Sequence, residues 1–499
     1  MSLPLDRLTR LSGFGRSSSS LAYLYRPTRV EEVVELFAMA ARQGLTVGLR
    51  GSGRSYGDAA LNGGQIVLDF RRMNRILEWN PATGVIRVEP GVTIQQLWQY
   101  TLEDGYWPPV VPGTMFPTLG GCLGMNIHGK NNYRVGPIGE HVLAFTALLP
   151  NGETVACSRA ENSDLFHALI SGAGLLGVFT SITLKLKKIY SGQVQVHGWA
   201  TANLRETMTA IEEFKTERDY VVGWIDSIVG GAALGRGQIH TANYLAEGED
   251  PRAAQTLRPD YQILPDTFFG LVPKSSLWMF MRPFGNNFGW GLVNTAKYLS
   301  ARYYEHQKKY WQSLVAFSFL LDYVPNFEKA YGSGGLIQYQ VFLPKETALA
   351  VYQEILLRSQ KRGLPSYLAV IKRHRPDQFL FTHATDGYSL ALDFRVTRQN
   401  ARALQEMTND LNRLVAEAGG RFYFAKDSTL TPHIAARYLG DETLARFHAL
   451  KQRCDPQHLL QTELYRRVFA PEAPPPAPDT LWQAEAEEVV KQSFERSGG

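Results

Sequence analysis

Cysteine is scarce in this 499-residue chain: Cys122, Cys157 and Cys454 stand far apart. No C-x-x-C pair or zinc-ligand spacing exists, so neither a disulfide framework nor a metal site is implied. An excess of one charge is also missing. Lys and Arg number 52 and Asp and Glu 47, a net charge of +5. Over this length that is too weak to argue for nucleic acid, and it suits an anionic cofactor or an anionic lipid surface. No uninterrupted apolar run is long enough to span a bilayer. The first residues, Met1 to Arg10, are broken by charges and lack an apolar signal core. The expectation is a cytoplasmic protein, with peripheral contact at the inner membrane surface left open. Internal repeats are absent as well.

Glycine, by contrast, is clustered. The loop Arg50-Gly51-Ser52-Gly53-Arg54-Ser55-Tyr56-Gly57-Asp58 has glycines at three of seven positions from Gly51 to Gly57. Such a loop bends tightly and brings N–H groups close to an anion. Thr46 to Leu49 before it and Gln65 to Phe70 after it read as strands. A dinucleotide fingerprint needs G-x-G-x-x-G opening a helix. Here the spacing is G-x-G-x-x-x-G and strand follows strand, so the loop reads as a pyrophosphate cradle of a different kind. A second cluster runs from Pro112-Gly113-Thr114 through Thr118, Gly120, Gly121, Gly124, Asn126, His128 and Gly129 to Lys130. A third holds Gly172, Gly174, Gly177 and Val178, and a strand over 179–187 closes the set.

The spacing of Val30, Val33, Val34, Phe37, Ala38 and Ala41 predicts a helix, opened by a Thr28/Glu31 capping box and ended at Gly44. From there to Cys157 the chain reads mostly as strands and turns. Exceptions and landmarks are a strand over 84–91, a short helix from Ile94 to Gly105, and a hairpin of 142–149 with 154–157. Beyond Ser191, strands over 193–200, 220–228, 338–343, 367–372 and 388–395 alternate with helices over 204–216, 346–362 and 400–418. That rhythm predicts an antiparallel sheet backed by helices. Residues 252–313 are aromatic-rich and resist assignment. Pro471 to Pro478 reads as a linker or ordered arm, and Thr480 to Phe494 as a peripheral helix.

Three glycine clusters in this order resemble the FAD-binding domain of the vanillyl-alcohol oxidase superfamily. Three further motifs are Ile127-His128-Gly129-Lys130-Asn131, Leu336-Ile337-Gln338-Tyr339-Gln340 and Gly420-Arg421-Phe422-Tyr423-Phe424-Ala425-Lys426-Asp427-Ser428. With Leu11-Ser12-Gly13-Phe14-Gly15-Arg16, they are similar to the decaprenylphosphoryl-β-D-ribose 2-oxidase family, and the resemblance spans about residues 10 to 470. It implies an α+β fold: an FAD-binding domain of two subdomains plus an antiparallel-sheet substrate domain. On that reading residues 1–190 are the FAD-binding domain and 191–417 the substrate domain. Residues 418–470 return to complete the first, and 471–499 are a Pro-rich tail.

The resemblance also implies site residues. For the cofactor they are Arg50, Gly51, Ser52, Gly53, Arg54, Ser55, Tyr56, Gly57, Pro112, Gly113, Thr114, Thr118, Gly120, Gly121, Gly124, Asn126, His128, Gly129, Gly177, Val178 and Tyr423. Many relatives hold FAD covalently through a histidine in the first glycine loop; Arg54 stands at that position here, which implies non-covalent FAD. Lys426 matches the position whose charge stabilises reduced flavin near N1 and O2. His128 and Lys130 lie two apart, so in an extended segment they point the same way; the catalytic base is not assigned between them. Lys130, Gln338, Gln340, Lys372 and Ala391 match substrate-pocket positions. Ala391 replaces a cysteine usual in the family, which leaves the reaction class intact and loosens the substrate.

The implied reaction is oxidation of a sugar's secondary hydroxyl, the ribose 2-hydroxyl of a polyprenyl-phosphate pentose. An NAD(P)-dependent reductase partner would then complete an epimerisation. The aromatic stretch holds Phe268, Phe269, Leu277, Trp278, Phe280, Phe284, Phe288 and Trp290 with Lys274, Arg282 and Lys297. It reads either as an apolar, partly basic mouth for a prenyl chain or as a loop packed on the substrate domain. Two alternatives share the motifs: a relative acting on a free sugar, an aldonolactone or a carbon–carbon double bond, and a non-catalytic flavin-fold binding protein.

Overall fold

A computed structural model describes residues 3–268 and 272–470. Phe269, the proline-rich stretch and the expected helix over 480–494 lie outside the described residues. Strands β1 (Leu8–Ser12), β2 (Ser19–Tyr25), β3 (Val47–Arg50) and β4 (Ile66–Asp69) form one sheet in the order β1-β2-β4-β3. β4 runs parallel to β2 and β3. All four of its residues are buried, as a parallel strand covered on both faces requires. Helix α1 (Val30–Gln43) connects β2 to β3, buries Val33, Phe37 and Ala40, and ends at Gly44 in the left-handed region. Its start differs from the expected capping box. Arg29 is the N-cap, one residue later than expected, so the acid in reach is Glu32 and not Glu31. The Thr28 N–H donates to Glu32 Oε2 at 2.8 Å.

A second, antiparallel sheet is built from β5 (Ile76–Asn80), β6 (Val85–Val88), β7 (Val142–Leu148), β8 (Thr154–Ser158) and β9 (Val178–Lys185), ordered β5-β6-β9-β7-β8. The expected hairpin is the β7–β8 pair. Helix α2 (Ile94–Thr101) stops short of Gly105 and carries a Thr93/Gln96 capping box. Helix α3 (Leu119–Gly124) lies within the second glycine cluster, which had read as strand and turn.

The largest sheet has eight strands: β10 (Gln193–Thr201), β11 (Tyr220–Ile225), β12 (Gly237–Tyr244), β13 (Lys309–Ser313), β14 (Leu336–Pro344), β15 (Ala369–His374), β16 (Gly387–Arg395) and β17 (Arg421–Phe422). Their order is β13-β10-β12-β11-β15-β16-β14-β17 and every pair is antiparallel. The accompanying helices are α4 (Leu204–Phe214), α5 (Leu277–Met281), α6 (Asn287–Ser300), α7 (Lys345–Lys361) and α8 (Ala401–Glu417). The strand–helix–strand–strand–helix rhythm is the run β14-α7-β15-β16-α8. The stretch that resisted assignment is largely helical: α5 and α6 lie within it. Past α8 and β17, the chain returns to the first sheet, where the Val47 N–H donates to Leu459 O at 2.8 Å.

Candidate active site

Between the glycine loops and the open face of the eight-stranded sheet lies a cavity of about 690 Å³. The first loop is stitched in place by backbone bonds. Phe14 N–H donates to Ser55 O at 2.8 Å, and Tyr56 N–H to Ala425 O at 2.8 Å. The Arg50 guanidinium donates to Ser12 O at 2.9 Å and Ala60 O at 3.2 Å. It fills the space beside Gly53, whose φ is +64° and where a Cβ would come within 2.1 Å of Arg50 Nη2. Only glycine meets both conditions. Among the described residues, no protein acceptor takes the N–H groups of Gly51, Ser52, Gly53 and Arg54, all of which line the cavity. Half-buried N–H groups left open in a row form an anion-binding nest, so the loop fits a pyrophosphate.

The other clusters lock onto this one. The Thr114 hydroxyl donates to Asp322 Oδ1 at 2.7 Å and the Met115 N–H to Asp322 Oδ2 at 2.9 Å. Ser171 N–H donates to Leu123 O at 2.9 Å and Ala173 N–H to Gly124 O at 2.8 Å. Asn126, Ser171 and Ala173 sit at φ +45°, +72° and +53°, so these loops carry backbone strain beside the cavity.

Every site residue expected from the sequence lines the cavity except Gly57, Asn126 and Gly129. These three shape the wall from behind. A Cβ on Gly57 would lie 2.1 Å from Asp427 O, and one on Gly129 would lie 2.5 Å from Asn131 Oδ1. The Asn126 Oδ1 accepts the Gly139 N–H at 3.0 Å.

The sheet wall is a register row. Gln340 stands opposite Ala391, Ala391 opposite Val370, Val370 opposite Trp224, and Trp224 opposite Gln238. All five line the cavity. With strands spaced about 4.8 Å apart, four steps carry the floor about 19 Å across the sheet. Gln340 Nε2 donates to His128 Nε2 at 3.1 Å, which makes His128 a neutral imidazole with its proton on Nδ1. Burial, then the charge of Lys372 and the neighbouring His374, His383 and Lys426, hold it well below the usual histidine range. Gln338 Nε2 donates to Asp393 Oδ1 at 2.6 Å, and burial pushes that carboxyl up to about 6.

Three buried amines act on one another along this wall, with Lys372 on β15 in the middle. Burial lowers Lys372 to about 8. Burial and the charge of Lys372 lower Lys130 and Lys426 to about 7, with Asp393 opposing the shift at Lys426. Lys130 donates to Phe317 O. Lys426 Nζ lies 3.8 Å from the centroid of the Tyr56 ring, a cation–π contact. Its neighbour Asp427 is fixed by Arg467, whose guanidinium bridges Asp427 at 2.9 Å and Asp58 at 2.7 Å.

The sequence reading missed several members. The His374 and His383 rings lie 4.8 Å and 5.3 Å from His128. Trp224, Gln238 and His240 line the far end of the cavity, where they meet Lys297, a residue of the aromatic, partly basic stretch that the sequence offers as a mouth. Period-two alternation along β11 and β12 could have paired Val222 with Trp224 and Gln238 with His240; nothing local marks the others.

An FAD binding domain model matches residues 21–158. Over 477 residues, 92% of this chain and 97% of the relative, the chain is 31% identical to the decaprenylphosphoryl-β-D-ribose oxidase of Mycolicibacterium smegmatis. It is 23% identical over 488 residues to a putative D-arabinono-1,4-lactone oxidase of Neurospora crassa, covering 90% of the chain and 84% of the relative. It is 30% identical over 161 residues to the L-gulonolactone oxidase of Bos taurus, covering 32% of the chain and 36% of the relative.

Proposed function

The chain belongs to the FAD-binding oxidase family that includes decaprenylphosphoryl-β-D-ribose oxidase, and we propose that it oxidises the ribose 2-hydroxyl of a polyprenyl-phosphate pentose. It is an FAD-dependent oxidoreductase acting on a sugar-type substrate. The observation that carries the finer reading is the reach of the first likeness. It keeps 31% identity over 92% of the chain, substrate sheet included, whereas the D-arabinono-1,4-lactone oxidase likeness falls to 23% over a similar reach and the L-gulonolactone oxidase likeness stops at 32% of the chain.

Bound FAD supplies a two-electron acceptor for the hydride lost from carbon. The open N–H groups of 51–54 would hold its pyrophosphate. Arg54 lies with its guanidinium carbon 5.0 Å from each of the Phe14 and Phe116 rings, and a guanidinium in that sandwich offers no nucleophile for a covalent link. Flavin should therefore be released free on acid denaturation; flavin retained in the precipitate would refute this.

Lys426, in its protonated form, supplies the positive charge that favours the reduced cofactor; Asp393 opposes the loss of that proton, and the negative charge of reduced flavin would oppose it further. Gln338 and Gln340 each spend an amide N–H on a fixed partner, Asp393 and His128. Their carbonyl oxygens stay free to accept sugar hydroxyls. His128 presents a proton on Nδ1, so in this tautomer it is a donor. Lys130, with its amine near 7, is partly unprotonated at neutral pH and is the group suited to take the hydroxyl proton. The keto-sugar calls for a nicotinamide-dependent reductase partner to complete the epimerisation.

A prenyl tail needs an apolar exit. Met279, Phe280 and Phe284 and the outward side of α6 are exposed, with Arg282 and Arg302 beside them. This supports docking at an anionic lipid surface. No helix among the described residues is long and apolar enough to cross a membrane.

The test is anaerobic mixing of the flavin-loaded protein with a polyprenyl-phosphate ribose. Bleaching of the flavin is expected. Bleaching only by a free sugar or an aldonolactone would overturn the substrate assignment.

A further inference from the structure

Helix α6 is pinned across the cavity side of the sheet. Its N-cap Asn286 accepts the Gly289 N–H at 2.9 Å, Trp290 stacks on Tyr367 at 5.4 Å, and Asn294 donates to Asp226 Oδ1 at 3.3 Å. A π-type turn, Ala301–Glu305, ends the helix, and such turns recur at functional sites. Just beyond it Gln307 N–H donates to Gly198 O at 2.8 Å and Gly198 N–H to Lys308 O at 3.1 Å. Trp290, Asn294, Lys297 and Ala301 therefore follow one another along the inward face at helical spacing.

Lys297 is the charge on that face without a counterpart. Its Nζ lies 4.3 Å from the Trp224 ring centroid, and it has no hydrogen bond or ion pair among the described residues. Its exposed surface borders the cavity, together with Trp224, Gln238 and His240. Glu305, the carboxylate whose field reaches it, is already taken by Gln238 Nε2 at 2.7 Å and His240 Nε2 at 3.0 Å. An amine held against an aromatic face at the edge of the cavity, with no acid bonded to it among the described residues, is placed to pair with an anion.

We propose that Lys297, with Trp224 beneath it and Gln238 and His240 beside it, is the subsite for the phosphoryl group of the substrate. This rests on the reading of the substrate as a prenyl-phosphate sugar. Three strand spacings, about 14 Å, separate Gln340 from Trp224 along the register row. Ala391 and Val370 between them leave a low apolar floor for the sugar ring. Lys426 lies at the inner end over the Tyr56 ring, while Lys372 stands on β15, next to β11 and two strands from Gln340. The Lys426 charge over Tyr56 and the Lys297 charge over Trp224 thus stand at different ends of the row, with Lys372 between them.

The experiment is calorimetric titration of the FAD-loaded protein with farnesyl phosphate and with farnesol, neither of which requires turnover. The unsubstituted protein is expected to prefer the phosphate. Lys297→Met, with Lys297→Gln as a second neutral variant, removes that preference, a loss of roughly tenfold or more for one charge-assisted contact. Lys297→Arg keeps it, and so does Lys372→Met. An unchanged preference in both neutral variants, or its loss in Lys372→Met alone, overturns the proposal. Flavin bleaching is read separately. A protein that binds farnesyl phosphate through Lys297 yet is not bleached by a prenyl-phosphate ribose supports the subsite and refutes the substrate assignment.

Discussion

Helices α1 and α6 are each fourteen residues long and are packed with opposite polarity. α1 turns Val33, Phe37 and Ala40 inward and leaves Glu31, Glu32 and Glu35 to solvent. α6 turns Asn294 inward and leaves Phe288 77% exposed and Leu292 51% exposed. The first obeys the ordinary rule that apolar surface leaves water. The second breaks that rule on both sides at once. Its inner side carries Asn294 to Asp226 and Lys297 to the cavity, and its outer side leaves apolar side chains exposed. The contrast separates an element that holds the fold together from one whose place the proposed phosphate subsite would explain.

The contrast can be broken most directly by truncation. Phe37→Ala should cost about 3–5 kcal/mol of stability, whereas Phe288→Ala should stay within about 0.5 kcal/mol. Denaturant unfolding reads both, and equal costs would mean that the outer face of α6 is covered. Next, the two ends of the cavity should fail differently. Lys426→Ala is expected to slow flavin reduction by about 10²–10³, the loss typical of one preorganised charge contact; stopped-flow mixing measures it, and a change in substrate affinity alone would shift Lys426 out of that role.

Replacing Phe288 and Leu292 together by serine should weaken sedimentation with anionic vesicles by roughly ten- to a hundredfold, since each such side chain is worth about 1.5–3 kcal/mol when fully buried and about half that when half-buried in the lipid surface. Unaltered vesicle binding would place the contact elsewhere. The smallest effect is on pH dependence. The Lys426 amine titrates at about 7 in the folded FAD-free protein, against about 10.4 for a free lysine. Between these values the unfolded chain binds the extra proton, so stability rises with pH across that window. Lys426→Met should flatten the rise in melting temperature between pH 7 and 9, by roughly the share this one amine contributes; an identical slope would show that the amine is not desolvated.

Much of the cradle was legible because its requirements are local. Gly53 has to be glycine for its own φ and for the Arg50 side chain three residues away. The alternation Gln338, Gln340 already marked one face of a strand. Other features were illegible for stated reasons. The Thr28 capping box failed because one residue of shift in the helix start exchanges Glu31 for Glu32. Residues 252–313 resisted assignment because a hydrophobic pattern normally reports the buried face, and in α6 it reports the exposed one. Gly57 read as part of the phosphate loop, but its missing Cβ makes room for Asp427 O, a neighbour supplied from the far end of the chain.

By itself, then, the sequence determined the glycine loops and the α+β alternation, which rest on short-range backbone needs and on periodicity, and the family, which rests on the likeness of its motifs to known proteins. Only the tertiary structure decided which side chains meet. The row Gln340, Ala391, Val370, Trp224 and Gln238 depends on four strand registers. Asp322 on Thr114, and Lys297 on Trp224, depend on where long connections fold back. Register and chain return are set by the sum of core packing, which no single stretch of residues encodes.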